Sequence, residues 1–107
     1  MINIDFFVLK NGILLGFDIY GHAERNACGK DIVCAAVSSA AFMVANTISE
    51  VIKVPADIKV YDCGEMRLQV NEKDAALCCD VLLGFKLHMV NLEEQYPKNI
   101  SVNYVEG

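Results

Sequence analysis

From Ile32 to Ser49 the chain carries no charged side chain, and a run of that length leaves two outcomes. It either crosses a membrane or is buried inside a fold. The run is rich in Ala and interrupted by Ser38, Ser39, Asn46, Thr47 and Ser49, and no basic flank anchors it. Those features predict a helix enclosed in a protein core, with no membrane partner. Asp31 suits the N-cap, where its carboxylate accepts the orphan amides of the first turn. Pro55 disfavours the α region for Val54, so the helix is expected to end near Lys53.

A buried helix needs a surface to lie on, and the rest of the sequence supplies strands. Ile2, Ile4, Phe6 and Val8 alternate with Asn3 and Asp5. Asn11-Gly12 then offers the positive φ angles of a tight turn, and Ile13, Leu15, Phe17 and Ile19 resume the alternation. A polar, Gly-bounded loop covers residues 21–30. After the first helix, Ile58 and Val60 lead into a turn at Cys63-Gly64, and Met66, Leu68 and Val70 lead out. Asn71 is placed to cap a second helix that reaches about Tyr96 and stops against Pro97. Ile100, Val102 and Tyr104 make a last short strand.

The order ββαββαβ predicts one α+β domain over residues 1–107, an antiparallel sheet packed against two long helices. The second helix shows two apolar stripes. One holds Ala75, Cys78, Cys79, Leu82, Phe85 and Met89, the other Leu77, Val81, Gly84 and His88. Two stripes imply two neighbours: the sheet, and either the first helix or a second subunit. With 54% hydrophobic residues, a homodimer is the simplest source of the extra burial.

The net charge of −5, with 14 acidic against 9 basic residues, repels phosphate backbones and argues against direct nucleic-acid binding. Five cysteines are present, Cys28, Cys34, Cys63, Cys78 and Cys79. Met1 to Leu9 shows no cationic segment ahead of an apolar run, so no signal peptide is expected. An odd count of thiols in such a chain predicts the reducing cytoplasm.

The chemistry concentrates between Gly21 and Ala35. His22 stands at the exit of a strand, and Cys34 falls in the first turn of the buried helix. A helix N-terminus favours the thiolate over the thiol. A neighbouring imidazole accepts the thiol proton and later returns it to a leaving amine. Unpaired amides of the same turn suit a developing oxyanion. By spacing alone Cys34 reads more readily as a small core residue than as a nucleophile, and His22 as a surface or capping residue.

Gly21-His22-Ala23 and Asp31-Ile32-Val33-Cys34-Ala35, at this separation and in a chain of this length, resemble the ribosomal-processing cysteine protease family, called Prp. The similarity extends over essentially the whole chain, to Glu93, Glu94 and Tyr96 at the end of the second helix. It implies a homodimeric bacterial peptidase that removes an N-terminal extension from the precursor of a large-subunit ribosomal protein, cutting after a stretch containing paired aromatic residues. The family's catalytic Cys and His fall on Cys34 and His22, and Gly21, Asp31 and Ser38 match supporting positions. The resemblance implies no cofactor and no metal.

Physical roles follow from the setting. Gly21 lets backbone approach closely beside the base, and Asp31 holds the first-turn amides. Ser38, one turn beyond Cys34, either bonds the thiol or substrate or bonds back to the helix carbonyl four residues earlier. The loop of residues 23–30, with Gly29 as hinge, reads as a lid or as an ordinary surface loop. Cys28 lies six positions from both His22 and Cys34, but the short Cys pairs of structural zinc sites are missing. Without C-x-x-C, a redox protein is disfavoured. Cys78 and Cys79 read as core fillers, Cys63 as a turn residue and His88 as an interface histidine. The rival to an enzyme is a non-catalytic module that binds a ribosomal protein or assembly factor.

Overall fold

The chain turns where Asn11-Gly12 predicts, but Asn11 keeps a negative φ and the turn closes through the Gly12 amide on the Leu9 carbonyl at 2.8 Å. Gly12 has φ +87, and the Ile13 amide donates to Asn11 Oδ1 at 3.1 Å. In this computed structural model, which describes residues 1–21 and 32–106, the turn joins β1 (Ile2–Val8) to β2 (Leu14–Tyr20). The two strands are antiparallel, with Ile4 opposite Ile19 and Phe6 opposite Phe17. A bulge then shifts the register between Phe7 and Val8, so that Phe7 pairs Gly16 and Val8 pairs Leu14. The extra residue turns Leu14 inward in place of Leu15: Leu14 is buried and Leu15 half-buried.

β3 (Ala56–Val60) and β4 (Met66–Val70) form the second hairpin, closed by a 3-10 turn over Asp62–Gly64. The strand order is β3-β4-β2-β1-β5, with β5 spanning Ile100–Glu106. Three of the four pairings are antiparallel, as expected. β5 instead runs parallel to β1, Ile100 beside Ile2 and Tyr104 beside Phe6, so the sheet is mixed. The reason is the connection. A long helix carries the chain from the end of β4 back across the sheet, and a crossover of that kind returns a strand in the same direction.

α1 (Ile32–Asn46) continues as a π-helical stretch over Thr47–Ile52. It stops where Lys53 adopts a left-handed φ of 63 and donates its amide to Ile48, one residue before the position that Pro55 restricts. A 3-10 turn over Glu72–Asp74 precedes α2 (Ala75–Gln95). Asn71 enters it through its backbone, the carbonyl accepting from the Asp74 amide at 2.9 Å. The expected Asn71 side-chain cap is not formed. The Asp31 cap lies outside the described residues.

Both helices cover one face of the sheet. Val33, Val37, Ala41, Val44 and Ile48 from α1 and its continuation meet Cys78, Leu82, Phe85, Met89 and Leu92 of α2 over Ile4, Phe6, Phe17, Ile19, Met66 and Leu68. Ile32–Ile52 and Glu72–Gln95 are each long and apolar enough to cross a membrane. Here each lays one stripe into this core. Most of the second stripe of α2 is left outside: Leu77 is 63% exposed and Gly84 and His88 are exposed, while Val81 packs half-buried against the core.

The other face of the sheet is polar. Tyr20 donates to Asp5 at 3.0 Å, which pushes the Tyr20 phenol above its ordinary range. Arg67 lies 4.0 Å from Asp18 and over the Phe7 ring at 5.0 Å. Burial pushes the Asp18 carboxyl up from 3.8; Arg67 opposes this, while Asp5 and Glu65 reinforce it. An acid whose folded value is raised favours folding below its ordinary value, and that contribution is lost as pH rises through the raised value. Asp18→Asn is therefore expected to raise Tm at pH 7 by about 2 °C and to leave it unchanged at pH 3. A fall at pH 7, read by thermal melting, would show that the Arg67 pair outweighs burial.

Candidate active site

Cys34 is the third residue of α1, in the first turn at the positive end of the helix dipole. Its side chain enters the core between Val33 and Val37, and the residue is 8% exposed. Cys78 lies deep in the α2 stripe, where burial and then the Asp74 carboxylate push its thiol up. Cys78 is thereby held in its neutral, unreactive form. Cys79 is half-buried.

Ser38 lies one turn beyond Cys34. Its hydroxyl is set against the turn that joins β3 to β4. Gly64 there has φ +80, and a methyl group on it would run into Ser38 Oγ and Cβ. Back-bonding to a helix carbonyl, one of the two roles open to Ser38, is what Thr47 does further along, donating to the Met43 carbonyl at 2.7 Å.

Gly21 ends β2 with φ +90, and a Cβ there would lie 2.5 Å from the Met1 carbonyl and 2.8 Å from Asn3 Nδ2. The backbone that approaches Gly21 is that of Met1, just ahead of β1. The Gly21 amide donates to Glu65 Oε2 at 3.0 Å. Glu65 follows Gly64, and the turn is closed by the Tyr61 amide on the Glu65 carbonyl at 2.7 Å.

Three segments distant in sequence therefore converge: the end of β2 at Gly21, the first two turns of α1 at Cys34 and Ser38, and the β3–β4 turn at Gly64 and Glu65. Of the residues singled out in the sequence, Gly21 and Ser38 meet this turn, and Cys34 lies one helical turn before Ser38. His22, Asp31, Cys28 and the 23–30 loop lie outside the described residues, and so does the zinc reading that rested on them. Gly64 and Glu65 were missed as site residues. Cys63-Gly64 signals a turn, and no local pattern tells which helix that turn will meet.

The profile of the cysteine protease Prp family matches residues 1–101. The chain belongs to that family. It is a cysteine protease, and the fold of Prp extends along its whole length. The chain is 31% identical over 108 residues to the ribosomal processing cysteine protease Prp of Staphylococcus aureus, covering 97% of this chain and 99% of that one. The crystal structure of the S. aureus Prp with a covalently linked product peptide is similar at a TM-score of 0.85 and 28% identity, covering 98% of this chain and 100% of that one. The same S. aureus protease has been seen with a substrate peptide, at a TM-score of 0.85 and 27% identity over the same shares of the two chains. A Streptococcus mutans protein is similar at 0.84 and 26%, covering 100% of this chain and 96% of that one.

Proposed function

We propose that this chain is a cysteine endopeptidase that removes the N-terminal extension from the precursor of a large-subunit ribosomal protein, through a thiolate at Cys34 and a base at His22. The observation that carries the reading is the place of Cys34, in the first turn of a core helix, within a chain that matches Prp from end to end. In this mechanism His22 takes the Cys34 proton and the thiolate attacks the scissile carbonyl. The first-turn amides receive the oxyanion. His22 returns its proton to the leaving amine, and water, deprotonated by the same imidazole, hydrolyses the acyl-enzyme. Asp31 holds the N-terminal turn of α1, and Ser38 supports it from one turn further on.

The S. aureus relative, a ribosomal processing protease seen with a substrate peptide and with a covalently linked product peptide, supports both the substrate class and the covalent route. The working form we propose is a cytoplasmic homodimer. Its support is the apolar surface that the single chain leaves open: Leu77, Leu83 and Leu87 on α2, with Met43 and Val51 exposed on the first helical stretch.

The deciding experiment is cleavage of a peptide spanning the N-terminal extension of the source organism's own ribosomal protein, read by mass spectrometry. A single cut after the aromatic stretch is expected, abolished by prior treatment with iodoacetamide, a reagent small enough for a thiol that is 8% exposed. No cut, or a cut insensitive to alkylation, overturns the reading. Light scattering on the same sample should give twice the chain mass of 11.8 kDa.

A further inference from the structure

The corner that holds Cys34 has a wall outside the catalytic roles assigned so far. The β3–β4 turn touches the two arms of the site at once, and with different chemistry. On one side Gly64, in the left-handed region at φ +80, lets the turn settle against Ser38 so closely that no β-carbon fits between them. On the other side the Glu65 carboxylate accepts the Gly21 amide at 3.0 Å, from a residue 44 positions away in sequence. Gly21 is the last residue of the β2 arm before His22.

We propose that Glu65 is a positioning residue of the protease: its carboxylate pins the end of β2 to the turn, and Gly64 pins the same turn to α1. The distance between the base-bearing strand end and the thiol-bearing helix is then set by one rigid connector. This rests on the proposed roles of His22 and Cys34. Several features support a built anchor. The acceptor is a carboxylate, and a charged acceptor on a backbone amide is about twice as strong as a neutral one. The turn is itself closed by the Tyr61 amide on the Glu65 carbonyl and the Glu65 amide on Asp62. On its other side Gly21 faces Met1 and Asn3, which leave no room for a side chain. The anchor acts on Gly21 itself, and base and nucleophile misplaced by an ångström lose about 100-fold in rate.

The test compares wild type, Glu65→Ala, Glu65→Gln and Cys34→Ser in the full chain. The substrate is the extension peptide, with kcat and KM separated, and Cys34 alkylation by iodoacetamide is followed in the same preparations by peptide mapping. Glu65→Ala is expected to lower kcat about 10- to 100-fold with KM within about threefold. Glu65→Gln, which keeps an oxygen for the Gly21 amide, should recover most of the loss. A purely structural role would instead lower Tm and the active fraction in both variants, leaving kcat per folded molecule unchanged. If wild type and Cys34→Ser cut equally or not at all, the assignment of the base and thiol fails. The alkylation rate then decides the anchor alone: a change of threefold or more in Glu65→Ala upholds it. A Glu65→Ala protein that matches wild type in both kcat and alkylation overturns the inference.

Discussion

Cys34→Ala should fold and fail to cut. The loss is expected to reach the background of the assay, because nucleophile and base act as a unit and removal of either costs as much as about 10⁶ in kcat where such pairs have been dissected. What remains after the thiol is gone is binding and the first-turn amides, worth about 10³ to 10⁴ over water. The fold tolerates the change because only a sulfur is removed from a core of α1 and sheet side chains. The cavity this leaves costs about 1 kcal/mol, against a stability of about 5–15 kcal/mol for a domain of ordinary size. His22→Ala should lose as much, and the double variant no more than either single one. Peptide cleavage under single-turnover conditions, with circular dichroism as a check on folding, measures all three. A Cys34→Ala protein within tenfold of wild type would move the nucleophile to another side chain.

Whether a feature could be read in the sequence depended on how local its cause is. Asn11-Gly12 dictates its turn from two adjacent residues, and that hairpin formed. The bulge falls beside Gly16, where a β-carbon would run into the Leu68 carbonyl of β4. Nothing within β2 announces it, and Leu14 took the inward place expected for Leu15. The ends of both helices could be placed from Pro55 and Pro97. The parallel pairing of β5 could not, because it is settled by where α2 delivers the chain after crossing the sheet.

The site divides the same way. Cys34 in a first helical turn and Ser38 one turn later follow from the spacing along one helix, and Gly21 from a strand end. The contacts that draw these residues together run through Gly64 and Glu65, on a turn whose sequence specifies its own bend and not its target. Charge patterning was readable only in part. Asp5, Asp18 and Arg67 alternate outward as β-strands require. Only the register of β2 against β4, with Asp18 opposite Arg67, turns those charges into an ion pair on the open face.

Phe85→Ala is expected to be the most destabilising single truncation on α2. The ring is 3% exposed and stands 4.6 Å from the Phe17 centroid and 5.7 Å, edge-on, from that of Phe6. Phe6 in turn packs against Phe17 at 6.4 Å and stacks on Tyr104 at 6.2 Å. The three phenylalanines join β1, β2 and α2 at the centre of the helix-covered face. Truncation removes the transfer energy of one ring and opens a cavity that two rings on a sheet cannot close, a cost of about 3–5 kcal/mol. For a chain of this size that is a fall of roughly 15 °C or more in Tm, and urea titration should show the lowered midpoint with an unchanged slope. Leu87→Ala, two residues along the same helix and 60% exposed, supplies the contrast. In a monomer it should fall within about 0.5 kcal/mol of wild type. In the proposed dimer its effect should instead depend on protein concentration, as any contact between subunits must by mass action. A Phe85→Ala protein less destabilised than Leu87→Ala at every concentration would mean that the aromatic trio is not the centre of the fold.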